Sequence, residues 1–187
     1  MNSICNKYLT DLDFIKHMID HHQVAVDMSE QLKRVSNVPT MLELARNISY
    51  TQQYEIWIMK MMVSKGIPNI SVDNSEFVKW NPNYTVGCYY PKMSKDDNTT
   101  CETHFFKSDR QMLAHINDIN FLQHMIPHHQ IAINMARRLL LHTKNPYLLE
   151  FVNEIIKNQQ YEIWTMKETL SKLKTDSIPI QFHSQLF

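Results

Sequence analysis

The stretch DFIKHMIDHHQVAVDM at residues 13–28 recurs as NFLQHMIPHHQIAINM at residues 120–135. A second block, QQYEIWIMK at residues 52–60, recurs as QQYEIWTMK at residues 159–167, with the same offset of 107 (13 to 120, 52 to 159). A repeat at a fixed offset indicates one supersecondary unit that is used twice. The positions kept in both copies include His, Met, Gln and Glu as well as apolar residues. The repeat therefore bears on chemistry as well as on fold.

The apolar residues of each copy follow the period of an α-helix, as Phe14, Met18 and Ala25 do on one stripe. Short connections around Pro39 and Pro146 make the two helices of each copy antiparallel neighbours. The sequence Ser108-Asp109-Arg110-Gln111 predicts a capping box at the start of the third helix. We predict helices at about 10–36, 39–65, 109–142 and 146–173.

These elements predict an all-α protein, a four-helix bundle made of two repeated helical hairpins with a long crossover linker. We expect the linker to cross the outside of the bundle and to pack there through its aromatic residues, Trp80, Tyr84, Tyr89 and Tyr90. The predicted units are a single duplicated domain over 1–187, hairpins at 10–65 and 108–173, a linker at 66–107 and a tail at 174–187.

The composition excludes several classes of partner. Lys and Arg number 19, as do Asp and Glu, so the chain lacks the basic surplus typical of nucleic-acid binding. No apolar run reaches the roughly 18–20 residues of a membrane span, and no secretory signal precedes the first helix, so we expect an intracellular protein. The odd number of cysteines, Cys5, Cys88 and Cys101, does not indicate a disulfide framework, although a Cys88–Cys101 bridge stays open.

Histidine and methionine on the core stripes predict a metal centre. Imidazole with thioether is a donor set suited to copper(I) and silver(I), and carboxylates extend it toward zinc or iron, which we favour less. We assign ligation to His and Met, and the orientation of the imidazoles to Glu and Gln. The candidate residues are His21, His22, Met18, Met28, Glu55 and Met59 in the first copy, His128, His129, Met125, Met135, Glu162 and Met166 in the second, and His17 and His124 as outer candidates.

The same residues admit a structural interpretation. A core methionine is usually a gap-filler, and a core histidine usually hydrogen-bonds a carboxylate. A buried His–Glu–Gln network would also explain why both copies keep these polar residues, and the residues alone balance the two interpretations evenly. A di-iron enzyme is disfavoured, because neither Glu55 nor Glu162 has a histidine three residues further on. No residue pattern predicts a catalytic group.

The string FLQHMIPHHQIAINMA at residues 121–136, followed by Gln159-x-x-Glu162-Ile163-x-x-Met166, closely resembles a His/Met-rich, ferritin-like family catalogued as domain of unknown function 305. The resemblance implies a ferritin-like four-helix bundle and copper or silver binding through His and Met. Members of that family are commonly exported, whereas no export signal is visible here. The first copy also departs from the family by having Asp20 where the second copy has Pro127, and we expect this proline to kink its helix.

We therefore predict a soft-metal-binding protein for storage, buffering or detoxification rather than an enzyme. The alternative is a structural or interaction protein without a metal. The expected partner is a metal ion, and a homo-oligomer or a protein partner bound through linker 67–107 stays open.

Overall fold

The structure, a computed structural model, describes residues 10–68 and 115–176 of the chain. Within these ranges the chain forms four α-helices and no strand. The linker from 69 onward, with its aromatic residues and with Cys88 and Cys101, and the tail beyond 176 lie outside the described residues, as Cys5 does. The helices are α1 (Asp11–Val35), α2 (Pro39–Lys65), α3 (Asp118–Leu140) and α4 (Pro146–Asp176).

The ends of the first two helices are confirmed, and local chemistry explains them. The side chain of Thr10 accepts a hydrogen bond from the backbone N–H of Asp13 at 3.2 Å, which satisfies one free donor at the start of α1. Pro39 lies in the first turn of α2, where its missing N–H costs no helix bond. Gly66, with φ of 87°, ends α2 in a conformation that other residues rarely adopt.

The start of the third helix differs from the prediction. Residues 115–117 are not helical, so a continuous helix from about 109 is wrong, and the proposed capping box at 108–111 lies outside the described residues. The cap of α3 is Asn117, which accepts from the N–H of Asn120 at 2.9 Å while the Asn120 side chain accepts from the N–H of Asn117 at 2.7 Å. This reciprocal pair fixes the helix start at Asp118. Helix α4 runs three residues beyond the predicted end, to Asp176.

The two hairpins pair into a bundle. Helix α1 packs on α2 and α3 packs on α4, while α1 contacts α3 and α2 contacts α4 across the bundle. The side chain of Asn145 donates to the carbonyl of Pro68 at 3.1 Å, which places the end of α2 beside the turn between α3 and α4. Helix α1 therefore runs antiparallel to α3, and α2 to α4. The all-α four-helix bundle predicted from the sequence is confirmed.

The core is continuous across both hairpins. Its fully buried members include Phe14 and Leu32 from α1, Met41 from α2 and Phe121 from α3. Burial of this apolar surface is the main force that joins the hairpins. None of the described helices is long and apolar enough to cross a membrane.

Helix α3 continues through Pro127 without interruption. Pro127 cannot donate to the carbonyl of Gln123, and both residues lie on the exposed face of the helix, where water can bond that carbonyl. The proline therefore leaves the buried face of α3 intact, and the corresponding Asp20 is exposed in the same way.

Candidate metal centre

Two buried histidine–glutamate pairs lie at equivalent places in the two hairpins. The Nε2 atom of His22 is 2.8 Å from Oε2 of Glu55, and the Nε2 atom of His129 is 2.8 Å from Oε2 of Glu162. Both histidines are fully buried, and the two glutamates are 5% and 8% exposed. Each pair joins the two helices of one hairpin, α1 with α2 and α3 with α4.

The carboxylates determine which ring nitrogen carries the proton. A carboxylate only accepts hydrogen bonds, so Nε2–H of His22 and of His129 must be the donor. In the neutral ring this leaves a lone pair on Nδ1. Within the described residues, neither Nδ1 atom has a hydrogen-bond partner, although both are buried. A histidine that donates one N–H to a carboxylate and keeps the other nitrogen free has the arrangement found in metal-ligating histidines.

The central contact between the hairpins is a pair of imidazoles. The rings of His21 and His128 stack with centroids 3.7 Å apart and planes tilted by 31°. Both are fully buried, and each lies next in sequence to a carboxylate-bonded histidine. Four histidines from two hairpins therefore surround the contact between α1 and α3.

Burial keeps the central rings neutral. It lowers the pKa of His21 well below the ordinary 6.5, and nearby His22, His129 and His17 lower it further, while a hydrogen bond to the backbone of His128 opposes them. Burial likewise lowers the pKa of His128 well below 6.5, with further lowering from the surrounding histidines. Neutral imidazoles are the form that binds metals, so no proton has to leave these rings first.

The outer candidates lie nearer the surface. His17 and His124 are half-buried, and the ring of His124 is 6.1 Å from that of His128. Burial lowers the pKa of His124 below 6.5. Each lies one turn before the central histidine of its own helix, so an ion could approach the central pair from the N-terminal side of either helix.

The six candidate methionines are all in the core. Met18, Met59, Met125 and Met166 are fully buried, and Met28 and Met135 are 2% exposed. Their thioether groups therefore belong to the hydrophobic core of the bundle. This burial suits soft-metal ligation and gap-filling equally, so the ligand assignment stays a prediction.

Amide side chains connect the two hairpins at the same level. The Nε2 atom of Gln52 is 3.4 Å from Nε2 of His129, and Asn158 donates to Oε1 of Glu55 at 3.4 Å. Nε2–H of His129 donates to Glu162, so it can contact Gln52 only as a donor to the amide oxygen. That contact requires the Gln52 amide to be turned by 180°, which exchanges its oxygen and nitrogen. The sequence predicted the polar role of Gln52 but missed Asn158. Its position four residues before Glu162, on the same helix face, is the signal that identifies it.

Donor geometry limits how a metal can bind. Among residues 10–68 and 115–176, no three His, Cys, Asp or Glu side chains converge on one point. The lone pairs of imidazole lie in the ring plane, so stacked rings such as His21 and His128 share an ion only at their edges. A site here needs thioether sulfur as well as ring nitrogen, or a rotation of the rings.

The aromatic residues beside the polar row face outward. Tyr54, Trp57, Tyr161 and Trp164 are each more than half exposed. The ring centroids of Tyr54 and Trp57 are 6.1 Å apart, and those of Tyr161 and Trp164 are 6.0 Å apart. These rings therefore pack against each other in pairs on the solvent side of α2 and α4.

Known structures resemble the whole described bundle. CopM in its Cu(II)-bound form is 28% identical, with a TM-score of 0.62, over 89% of this chain and 99% of that one. CopM in its Cu(I)-bound form is 30% identical, with a TM-score of 0.59, over 88% and 97% of the two chains. CopM has also been solved in an Ag-bound form. A DUF305 fragment from Deinococcus radiodurans, 22% identical with a TM-score of 0.55, shares the fold.

Sequence comparison leads to the same family. An uncharacterized protein of Acanthamoeba polyphaga mimivirus is 39% identical over 61 residues, which make up 33% of this chain and 40% of that protein. The family described as Domain of unknown function (DUF305) matches residues 11–170, which include all four helices except the last six residues of α4. The resemblance noted from the His/Met motif is thus confirmed at the level of the family, and the chain belongs to DUF305.

Proposed function

We propose that this protein binds soft metal ions, copper(I) above all, and serves to store, buffer or detoxify them. The observation that carries the proposal is the cluster of four buried histidines, two of which donate Nε2–H to a carboxylate and keep a buried Nδ1 free. The neutral imidazoles of His21 and His128 inside a methionine-containing core are a donor set that suits copper(I). The likeness to CopM, solved with copper and with silver, supports the same metal class.

Burial favours retention over catalysis. An enzyme needs room for a substrate beside its metal, whereas His21, His22, His128 and His129 are fully enclosed. An ion bound among them would be shielded from water and from other reactants. Storage or buffering therefore fits the centre better than turnover of a second substrate.

The second candidate is a structural role for the same residues. It is favoured by the absence, in the described part of the chain, of three converging His, Cys, Asp or Glu side chains. In that case the His22–Glu55 and His129–Glu162 bonds only fix the register of the helices, and no metal binds.

Titration with copper(I) under anaerobic conditions, against a competing chelator, separates the two candidates. We expect tight binding by the wild type and its loss in the double variant His21→Ala/His128→Ala. The control is His115→Ala, because His115 is exposed and lies before α3. Unchanged stoichiometry and affinity in the double variant would refute the site, and no competition by the wild type would favour the structural role.

A further inference from the structure

A groove with a volume of about 500 Å³ lies between α2 and α4. Residues from Thr40 to Thr51 form its α2 wall, and residues from Asn158 to Lys172 form its α4 wall. Three carboxylates, those of Glu43, Glu162 and Glu168, face one ammonium group, that of Lys172. This imbalance makes the groove attractive to cations.

Glu162 belongs both to this groove and to the buried histidine cluster. It lines the groove with about a tenth of its side chain exposed, and its Oε2 lies 2.8 Å from Nε2 of His129. Glu162 therefore contacts both the groove and the His129 ring.

The two copies of the repeat differ at the walls of this groove. Thr40 and Leu44 in its α2 wall correspond, at the offset of 107, to Tyr147 and Phe151. Tyr147 and Phe151 are larger than Thr40 and Leu44, and both pack against the core. The α2 wall of the groove therefore has smaller side chains than the equivalent positions of the other copy.

The α4 wall differs from its counterpart in the same way. Thr165 and Thr169 line the groove, whereas the corresponding Ile58 packs against the core and Met62 is buried in it. Glu55, the counterpart of Glu162, accepts a hydrogen bond from Asn158 at 3.4 Å, and the position that corresponds to Asn158 is the shorter Thr51. Glu162 thus lines the groove directly, whereas Glu55 meets it through Asn158, and the two carboxylates are similarly buried.

We propose that the groove between α2 and α4 is the passage through which a soft metal cation reaches the buried histidines, with Glu162 as its first buried contact. This inference rests on the proposed function, because it concerns access to the same centre. The ion enters along Thr165 and Thr169 and passes Glu162 to reach His129.

The test gives the groove the side chains of the equivalent positions in the other copy. In the variant Thr165→Ile/Thr169→Met, silver(I) uptake is followed by stopped-flow tryptophan fluorescence, to which Trp164 on the groove wall contributes. We expect association and dissociation to slow together, by about tenfold or more, with an unchanged equilibrium constant. The charge variant Glu43→Gln/Glu168→Gln should slow association alone, by about tenfold at low salt.

The matched control is Thr175→Ile, on the same helix beyond the groove. Thr165 and Thr175 each donate to the carbonyl four residues earlier, at 3.0 Å, so both substitutions remove the same kind of bond. Uptake at the wild-type rate by the filled variant, or weaker binding without slower uptake, overturns the passage and leaves the proposed function standing. If the wild type binds no silver at equilibrium, the proposed function and the passage both fall.

Discussion

At the scale of single residues, the bonds from His22 to Glu55 and from His129 to Glu162 place a proton on Nε2 of each ring. Each carboxylate is nearly buried and accepts from Nε2–H at 2.8 Å. Removing the acceptor leaves a buried N–H without a partner and frees the ring to change tautomer. Stability and metal binding therefore depend on the same bond.

Replacing Glu55 with Ala should lower the free energy of unfolding by about 1–3 kcal/mol, because the His22 N–H loses its acceptor. Glu55→Gln should cost less, because its amide oxygen can still accept that bond. Urea unfolding of the metal-free protein measures both, with the exposed Glu43→Ala as control. Equal stability of Glu55→Ala and wild type would show that the bond contributes nothing net.

The central histidines predict a stability that depends on pH. The pKa values of His21 and His128 are lowered in the folded state, so the unfolded chain binds more protons below its ordinary histidine pKa of about 6.5. The contribution of these two neutral rings to the free energy of unfolding is complete above about pH 6.5, and it is lost as the pH falls toward their lowered pKa values in the folded state. The melting temperature of the metal-free protein should therefore drop between pH 7 and pH 5.

The double variant His21→Leu/His128→Leu tests this assignment. Its melting temperature should depend less on pH than that of the wild type, because the two rings no longer take up protons on unfolding. An identical pH dependence in both proteins would place its origin at other groups.

At the scale of the helix, the sequence predicted what local chemistry controls. The bounds of α1 and α2 follow from Thr10, Pro39 and Gly66, whose effects act within one turn. The start of α3 was harder to predict, because the sequence offers two candidate N-caps, Ser108 and Asn117. The reciprocal bonds of Asn117 and Asn120 use side chains that a search for Ser or Thr followed by Glu or Gln overlooks.

Helices α1 and α3 offer a matched test of what a proline inside a helix costs in stability. Asp20 and Pro127 occupy equivalent exposed positions in α1 and α3. Asp20→Pro should destabilise the protein by about 3 kcal/mol, and Pro127→Ala should stabilise it by an amount up to that size. Denaturant unfolding measures both, with the exposed Gln23→Ala as control. No gain from Pro127→Ala would mean that α3 accommodates its proline without cost.

At the scale of the molecule, the repeat predicted the bundle and the residues of the polar row, but not how the hairpins meet. The stacking of His21 on His128 and the bond from Asn158 to Glu55 join residues far apart in sequence. Periodicity places a residue on a face, and it does not identify which helix that face contacts. The groove likewise depends on small residues from two helices at once, a property that neither helix shows alone.

The last prediction concerns the hairpin as a unit. His21 and His128 are equivalent residues that contact each other, so the two hairpins meet through corresponding surfaces, as the subunits of a twofold dimer do. A fragment of residues 1–68 would expose Phe14, Met18 and the His21 face, and should be helical only when it pairs with a second copy. Its helicity and melting temperature should therefore rise with protein concentration, whereas the melting temperature of the full chain should not. Circular dichroism across a hundredfold dilution series measures this. A fragment that is folded and monomeric at every concentration would show that one hairpin is stable alone, and would contradict the single duplicated domain predicted from the sequence.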